Sequence, residues 1–381
     1  MSDAVMNFDV LMNSTKEGGK IQLESGVYVT RMCDGYDVPN GAFLKKGVRV
    51  YGPKVGYANI IGDPWTPDRD MTVVYGVGGH DFVGNITVTC PPPKAGRKYN
   101  GVYLGRKDSE SSVIEGITQL GTSGDLSAHR ESFGIAACGK ESMISRCTVA
   151  DVRGSYTTGI HIAFGGGSII NNTVYAPNRP AGEVALWALG SVCIDPGLYV
   201  ALNRVIGPWR CGFYHDTGDS LYTQVVDNVF AGCDIGCWMN FQVLPGFKDE
   251  RTLQEFHFSN NDVLLSAQND LCVMASIANA NNALGSEAAQ HRIRDVFINH
   301  NRAGIMTDRF NRIQNRRVGL ALTSHCTEPI LTKHGISGVE FTDNTFAVDD
   351  NVIWTQRNMG GNAKSVVAHS NLGVKEEWVL S

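Results

Sequence analysis

Short runs of alternating apolar and polar residues, each closed by a turn, recur along the whole chain. VGNITV, INNTV, ALNRV, VVDNVF, FSNNDV, INHNRA, FTDNTF and AHSNL each set an asparagine between two β-type stretches: Asn85, Asn172, Asn203, Asn228, Asn261, Asn301, Asn344 and Asn371. Gly116 in VIEGIT and Cys147 in ISRCTV occupy the same place in two further copies. The spacing is elastic, from 25 residues between Cys147 and Asn172 to 43 between Asn301 and Asn344. A fixed motif at elastic spacing means one stacking unit with variable loops.

The unit is β, because no copy carries an apolar i, i+3, i+4 face of useful length. A second apolar run lies upstream of most turns: GVYLGRK, GIAACGK, GIHIAFG, SVCIDPG, GFYHDTG and GCWMNFQ, starting at Gly101, Gly134, Gly159, Ser191, Gly212 and Gly236. Two or three strands per repeat predict an all-β fold, a parallel β-helix in which equivalent side chains stack about 4.8 Å apart. Asparagine suits the bends, since it tolerates left-handed dihedrals and its amide bonds the coils above and below.

Alternation assigns the two faces of the upstream strands. Ile135 and Ala137, Ile160 and Ile162, Val192 and Ile194, Phe213 and His215, and Cys237 and Met239 point inward. Ala136 and Cys138, His161 and Ala163, Cys193 and Asp195, Tyr214 and Asp216, and Trp238 and Asn240 point outward. Cys237 and Cys272 are expected in one inward column of unpaired structural thiols, because the cysteine spacings show no compact disulfide framework.

The opening stretch, DAVMNFDVLMNSTKEGGKIQLESGVYVTR followed by LKKGVRVYGPKVGYANIIGD, resembles the start of right-handed β-helix proteins of the pectate-lyase and polygalacturonase type. There a short amphipathic helix covers the first coil and a GG-x-I-x-L-x-x-G-x-Y segment enters the first strand. The resemblance spans the whole chain at the level of coils. It implies one solenoid domain over 1–381, with a capping helix in 1–19, eleven to twelve coils in 20–373 and a tail in 374–381. It also implies an exported, secreted or periplasmic protein whose leader has been removed, and a homo-oligomer, a trimer above all. The N-T-D, G-H-G and R-I-K set of polygalacturonases is absent, as is a pectate-lyase arginine motif, so the resemblance carries fold rather than a particular activity.

Composition narrows the partners. At 381 residues and 43% hydrophobic content, a solenoid core is readily filled, and 43 glycines fit coil corners. A net charge of −5 argues against a nucleic-acid footprint. No run of 18 apolar residues is present, so no membrane-spanning helix is expected. The amino terminus lacks the basic start and apolar stretch of a secretory signal.

The outward columns carry the candidate chemistry. On adjacent coils Asp195 and Asp216 become neighbours with Cβ atoms roughly 5 Å apart, and Asn240 continues their column. Like charges so placed destabilise a sheet and push one carboxyl pKa up, giving an acid beside a base. Glycoside hydrolysis needs that pair, with no metal or cofactor. Asp219 offers a second carboxylate nearby and Arg210 a cation for a substrate carboxylate. A second outward column holds Tyr103, His161, Tyr214 and Trp238, rings that can stack on sugars, with Trp187, Trp209 and Tyr222 in flanking loops. His161 is a candidate accessory base and His215 a candidate substrate contact.

Plainer readings apply to the same residues. D-P-G and D-T-G are common strand-ending turns, an inward His215 is commonly a hydrogen-bonded core histidine, and rings on a sheet are often covered by loops. The enzymatic alternative is a polysaccharide lyase or uronate epimerase. In it Asp195, Asp216 and Asn240 hold Ca²⁺, a base such as His161 or Arg210 removes a proton, and Tyr214 acts as acid. A non-catalytic, tailspike-like glycan-binding solenoid is the third.

Overall fold

The computed structural model describes residues 5–31, 44–64, 69–92, 94–125, 127–128, 130–176, 185–192, 197–216, 220–242, 251–266, 271–280, 291–305, 316–324, 336–346, 351–355 and 363–372. Its strands form three parallel sheets, with one short helix near the amino terminus, and the fold is a right-handed parallel β-helix. Two compact units, Met1–Leu189 and Gly190–Ser381, carry the coils.

In the first unit a winding passes from the third sheet to the second and then the first. Tyr99–Leu104, Ser112–Glu115 and Thr118–Leu120 form one such turn, and Ser132–Cys138, Ser142–Ser145 and Thr148–Ala150 the next. In the second unit the third sheet runs through Trp209–Asp216, Ile235–Gln242, Leu271–Ala280 and Arg316–Ser324. Ile135, Ala137, Ile160 and Ile162 fill the interior of the first unit, while Phe213, His215, Cys237 and Met239 fill that of the second, all fully buried. Alternation places these inner faces as the sequence predicts, but Val192, expected inward, is half-buried, and its neighbour Ser191 is the buried residue, bonded to the inward His215, so the reading is one residue off there; Ile194 lies outside the described residues. Phe230 and Phe258 stack in the second core with centroids 6.0 Å apart, so large rings there do what aliphatic side chains do in the first unit.

The asparagine stack lies at the corner between the second and first sheets. Asn228 is typical. Its Oδ1 accepts from the Asn203 backbone N–H (3.0 Å) and from Asn203 Nδ2 (2.9 Å), and its own Nδ2 donates to the carbonyls of Val200 and Val226 and to Asn261 Oδ1. The same relation links Asn261 to Asn301, Asn301 to Asn344 and Asn344 to Asn371, and Cys147 donates its backbone N–H to Asn172. The left-handed residue is the one before the asparagine, as at Asn171, Leu202 and Asp227.

This corrects the sequence alignment at two places. Asn85 and Gly116 are themselves left-handed, and pairing of Thr87 with Thr118 and of Thr118 with Thr148 puts Ile86 and Ile117 level with Cys147. Asn85 and Gly116 thus precede the stack by one residue. Asparagine and glycine both relieve the left-handed bend, which is why they mimic the motif.

The capping helix is shorter than 1–19. It covers Phe8–Ser14, with the Asn7 side chain accepting from the backbone N–H groups of Asp9 and Val10. Phe8 and Met12, four apart, are buried on one face. Thr15 turns its hydroxyl back on the Leu11 carbonyl, the chain leaves the helix there, and Gly18 bends left-handed.

Glycines let the third-sheet strands approach closely. A Cβ on Gly134 would sit 2.6 Å from the Gly159 carbonyl oxygen and 2.8 Å from Val149 Cγ1, and one on Gly212 would sit 2.7 Å from the Gly236 oxygen. Gly134→Ala is therefore expected to destabilise the fold by about 1–3 kcal/mol through overpacking. Urea unfolding should show this as a lowered midpoint with unchanged slope; an unshifted midpoint would show that the close approach carries no strain.

Cys90, Cys138, Cys147, Cys211, Cys233 and Cys237 are free and buried. Cys237 lies opposite Ala275, whereas Cys272 lies opposite Arg317. The two do not share a column, because the second strand enters the sheet three residues earlier than its apolar pattern suggests.

Candidate functional site

The outer face of the third sheet carries the chemistry-bearing residues, and each unit holds its own set. In the second unit Trp209–Asp216 and Ile235–Gln242 pair with Tyr214 opposite Trp238 and Asp216 opposite Asn240. Tyr214 and Trp238 meet edge to face, centroids 5.3 Å apart, and the guanidinium of the exposed Arg210 lies 5.6 Å from the Trp238 ring centre. Asp216 is half-buried and is the last residue of its strand. The set thus combines an aromatic surface, a cation and a carboxylate on two adjacent strands. Asp195 and Asp219 lie outside the described residues, and for Asn240 only the backbone register is described.

Two residues sit deeper than the sequence reading places them, and a third, His215, lies inward as alternation puts it. Tyr214 is only 4% exposed, so its ring supports Trp238 instead of facing solvent. Trp209 belongs to the strand rather than a flanking loop and is fully buried, because alternation from Phe213 through Cys211 carries it to the inner side. His215, expected as a substrate contact, is a core residue. Its Nδ1 pairs with Ser191 Oγ at 2.9 Å, its ring lies 6.2 Å from that of Phe256, and its Nε2 has no partner among the described residues. Tyr222, in contrast, is exposed, but it belongs to a second-sheet strand, Ser220–Val226.

Burial lowers the His215 pKa to about 4. An unfolded histidine titrates near 6.5, so below that pH the unfolded chain takes up a proton that the native core refuses. Native stability should fall as pH drops from about 6.5 towards 4, by about 2 kcal/mol at pH 5 from this group alone. Urea midpoints at pH 7 and pH 5 measure the loss. His215→Met should flatten it, and an equally steep loss in that variant would assign the effect elsewhere.

In the first unit Tyr75, Tyr103, Ala136 and His161 follow one another in register. Tyr75 and Tyr103 stack 5.8 Å apart, and Phe133 bridges Tyr103 (6.0 Å) and His161 (5.0 Å). All four rings are half-exposed. Ala136, Cys138 and Ala163 on the same face are buried, with the Cys138 thiol bonded to the Tyr103 hydroxyl at 3.3 Å. Trp187 lies against Tyr156 with centroids 6.3 Å apart. Sequence reasoning missed Tyr75 and Phe133. The first lies in a run without a leading glycine; the second stands one residue before Gly134, where ladder pairing skips a position and strict alternation fails.

Among the described residues, no group of three or more His, Cys, Asp and Glu side chains is placed to hold a metal ion, and no helix is long and apolar enough to cross a membrane.

No protein-family sequence model matches the chain, and no curated protein matches it. Solved structures do. A family 28 exopolygalacturonase from Yersinia enterocolitica superposes with a TM-score of 0.52 at 10% identity, covering 97% of this chain and 74% of that one. An exopolygalacturonase from Thermotoga maritima gives 0.46 at 10% identity, covering 98% and 92%. The tailspike protein of Escherichia coli bacteriophage HK620 gives 0.48 at 11% identity, covering 96% and 73%. The first likeness establishes a shared β-helix fold.

Proposed function

We propose that this chain is a carbohydrate-active enzyme, a glycoside hydrolase acting on a polysaccharide or oligosaccharide at the outer third-sheet face of the second unit. One observation carries the reading: register sets Asp216 beside Asn240 on the two strands that also bring Tyr214 and Trp238 together, with Arg210 over the indole. An indole face takes up the apolar side of a pyranose ring, and the neighbouring carboxylate then meets the glycosidic oxygen or the attacking water. Cleavage requires two carboxyl groups, one protonating the leaving oxygen and the other serving as base or nucleophile. Asp216 supplies one in this scheme, and Asp195, with Asp219 as the alternative, supplies the other. Arg210 holds an electronegative substituent of the sugar.

The uronate-directed lyase draws support from the same exposed Arg210, which suits a carboxylate. A panel of neutral and acidic polysaccharides separates the readings. Release of reducing ends without the ultraviolet absorbance of an unsaturated product supports hydrolysis. Appearance of that absorbance, with calcium dependence, makes the enzyme a lyase. Binding without cleavage across the panel would leave a tailspike-like glycan binder and remove the hydrolase.

A further inference from the structure

In the first unit, the turns that lead from the third sheet into the second bring a serine, a histidine and a glutamate together. Asp81–Gly84 and Ser112–Glu115 run parallel with Asp81 opposite Ser112. His80 and Ser111 stand one residue ahead of that register, and the His80 backbone N–H donates to the Ser111 carbonyl at 2.9 Å. One winding thus sets level two side chains that lie 31 residues apart in the chain. Ser111 Oγ lies 3.1 Å from His80 Nδ1, and Glu110 Oε2 lies 2.9 Å from His80 Nε2. The carboxylate holds the proton on Nε2, which leaves Nδ1 of the neutral ring as acceptor for the serine hydroxyl. A nucleophile within hydrogen-bond reach of a base, itself oriented by a third group, is the arrangement that activates a serine.

The bend that presents His80 is fixed. His80 is left-handed although it carries a Cβ, and Gly78 and Gly79 before it are left-handed as well. The buried Asp81 carboxylate accepts the backbone N–H groups of Gly78 at 2.6 Å and of Gly47 at 2.8 Å, which ties two windings together. Of three successive N–H groups, that of Gly78 is committed to Asp81 and that of His80 to Ser111, while that of Gly79 has no partner among the described residues. Gly79 and Glu110, the chain neighbours of His80 and Ser111, both line a cavity of about 300 Å³, along with Val77, Gly78 and Ser109 among others. That volume stands at the lower end of small-molecule sites and suits a short acyl group. Ser111 is half-exposed and His80 and Glu110 are exposed, so an ester can reach the serine from solvent.

We propose that Ser111, His80 and Glu110 form a serine-esterase site that cleaves a short-chain acyl ester, an acetyl ester above all. Ser111 Oγ attacks the ester carbonyl carbon while its proton passes to His80 Nδ1, and the Gly79 N–H is the donor at hand for the oxyanion. Collapse breaks the bond to the alcohol, which leaves with the proton from Nδ1. Water then adds to the acyl-serine under the same base and releases the acid, so the sum is ester plus water giving acid plus alcohol. Glu110 is a positioning residue that acts through His80. The reaction involves no glycosidic bond and no Asp216, so its failure leaves the hydrolase reading where it stands.

The whole chain is assayed with nitrophenyl acetate and nitrophenyl hexanoate by nitrophenol release, and a fluorophosphonate probe is located by peptide mass spectrometry. Release above the buffer rate, faster for the acetate, is expected, with the phosphonate on Ser111. Ser111→Ala and His80→Asn, the latter keeping a residue that tolerates the left-handed bend, should each lower kcat/KM by about 100-fold or more with the melting temperature unchanged. Glu110→Gln should lower kcat with KM unchanged and move the acid limb of the pH–rate profile to lower pH, because the imidazolium loses its anionic partner. Release no faster than buffer, parental rates in Ser111→Ala, a phosphonate lodged elsewhere, an unmoved pH profile in Glu110→Gln, or faster turnover of the hexanoate overturns the proposal.

Discussion

Asp216→Asn should abolish glycan cleavage while leaving the melting temperature within about a degree of the parent. A positioned general acid or base contributes about 10²–10⁴-fold to rate, and an amide can neither give nor take the proton at glycosidic oxygen. Asp216 is the last residue of its strand and half-buried, and the isosteric amide keeps the size of the side chain and the backbone bonding to the neighbouring ladder. Initial rates by reducing-end release, alongside a thermal melt, decide the matter. Full activity in the variant removes Asp216 from the reaction, and a melt lowered by many degrees makes it a structural residue. Asp195→Asn belongs in the same experiment, because two carboxyl groups acting as a unit should each cost nearly the full rate.

The second large effect lies in the core. Asn228→Ile should destabilise the protein by about 3–5 kcal/mol, although isoleucine occupies the equivalent position at Ile86 and Ile117. The reason is the neighbours. Asn228 satisfies the Asn203 backbone and side chain on one side and Asn261 on the other, besides the carbonyls of Val200 and Val226. Each buried group left without a partner costs about 1–3 kcal/mol. In the early windings the whole stack is apolar and no orphan arises. Asn228→Asp tests the same idea from the other side: it keeps the acceptor but loses the donor and opposes the Asn261 oxygen. Denaturant unfolding of both variants gives the answer, and a parental midpoint for Asn228→Ile would show the amide stack to be incidental.

Much of this architecture is legible in the chain because stacking repeats the same demand at every winding. Asn203, Asn228, Asn261, Asn301 and Asn344 share one environment, so their recurrence marks the corner. The inner positions Ile135, Ile160, Phe213 and Cys237 follow from period two alone. What fails does so where a local need imitates the motif or where regularity breaks. Asn85 and Gly116 answer to the left-handed bend rather than to the amide stack. Phe133 escapes because pairing skips Gly134, and Trp209 because the strand starts earlier than its glycine suggests. His215 shows a different limit. An inward histidine reads either as a hydrogen-bonded core residue or as a substrate contact until Ser191, 24 residues earlier, is seen to bond it.

The buried sulfhydryls have a practical corollary. Desolvation pushes Cys90 and Cys147 up to about 12 and Cys138 up to about 11, and holds Cys211 and Cys237 well above the ordinary thiol value. An alkylating reagent, which needs thiolate and access, is thereby refused until the surrounding backbone parts. Mass spectrometry of timed alkylation would then read Cys90, Cys138 and Cys147 as clocks for opening of the amino-terminal half, and Cys211 and Cys237 as clocks for the carboxy-terminal half. The molecule carries its own stability sensors, without an added label.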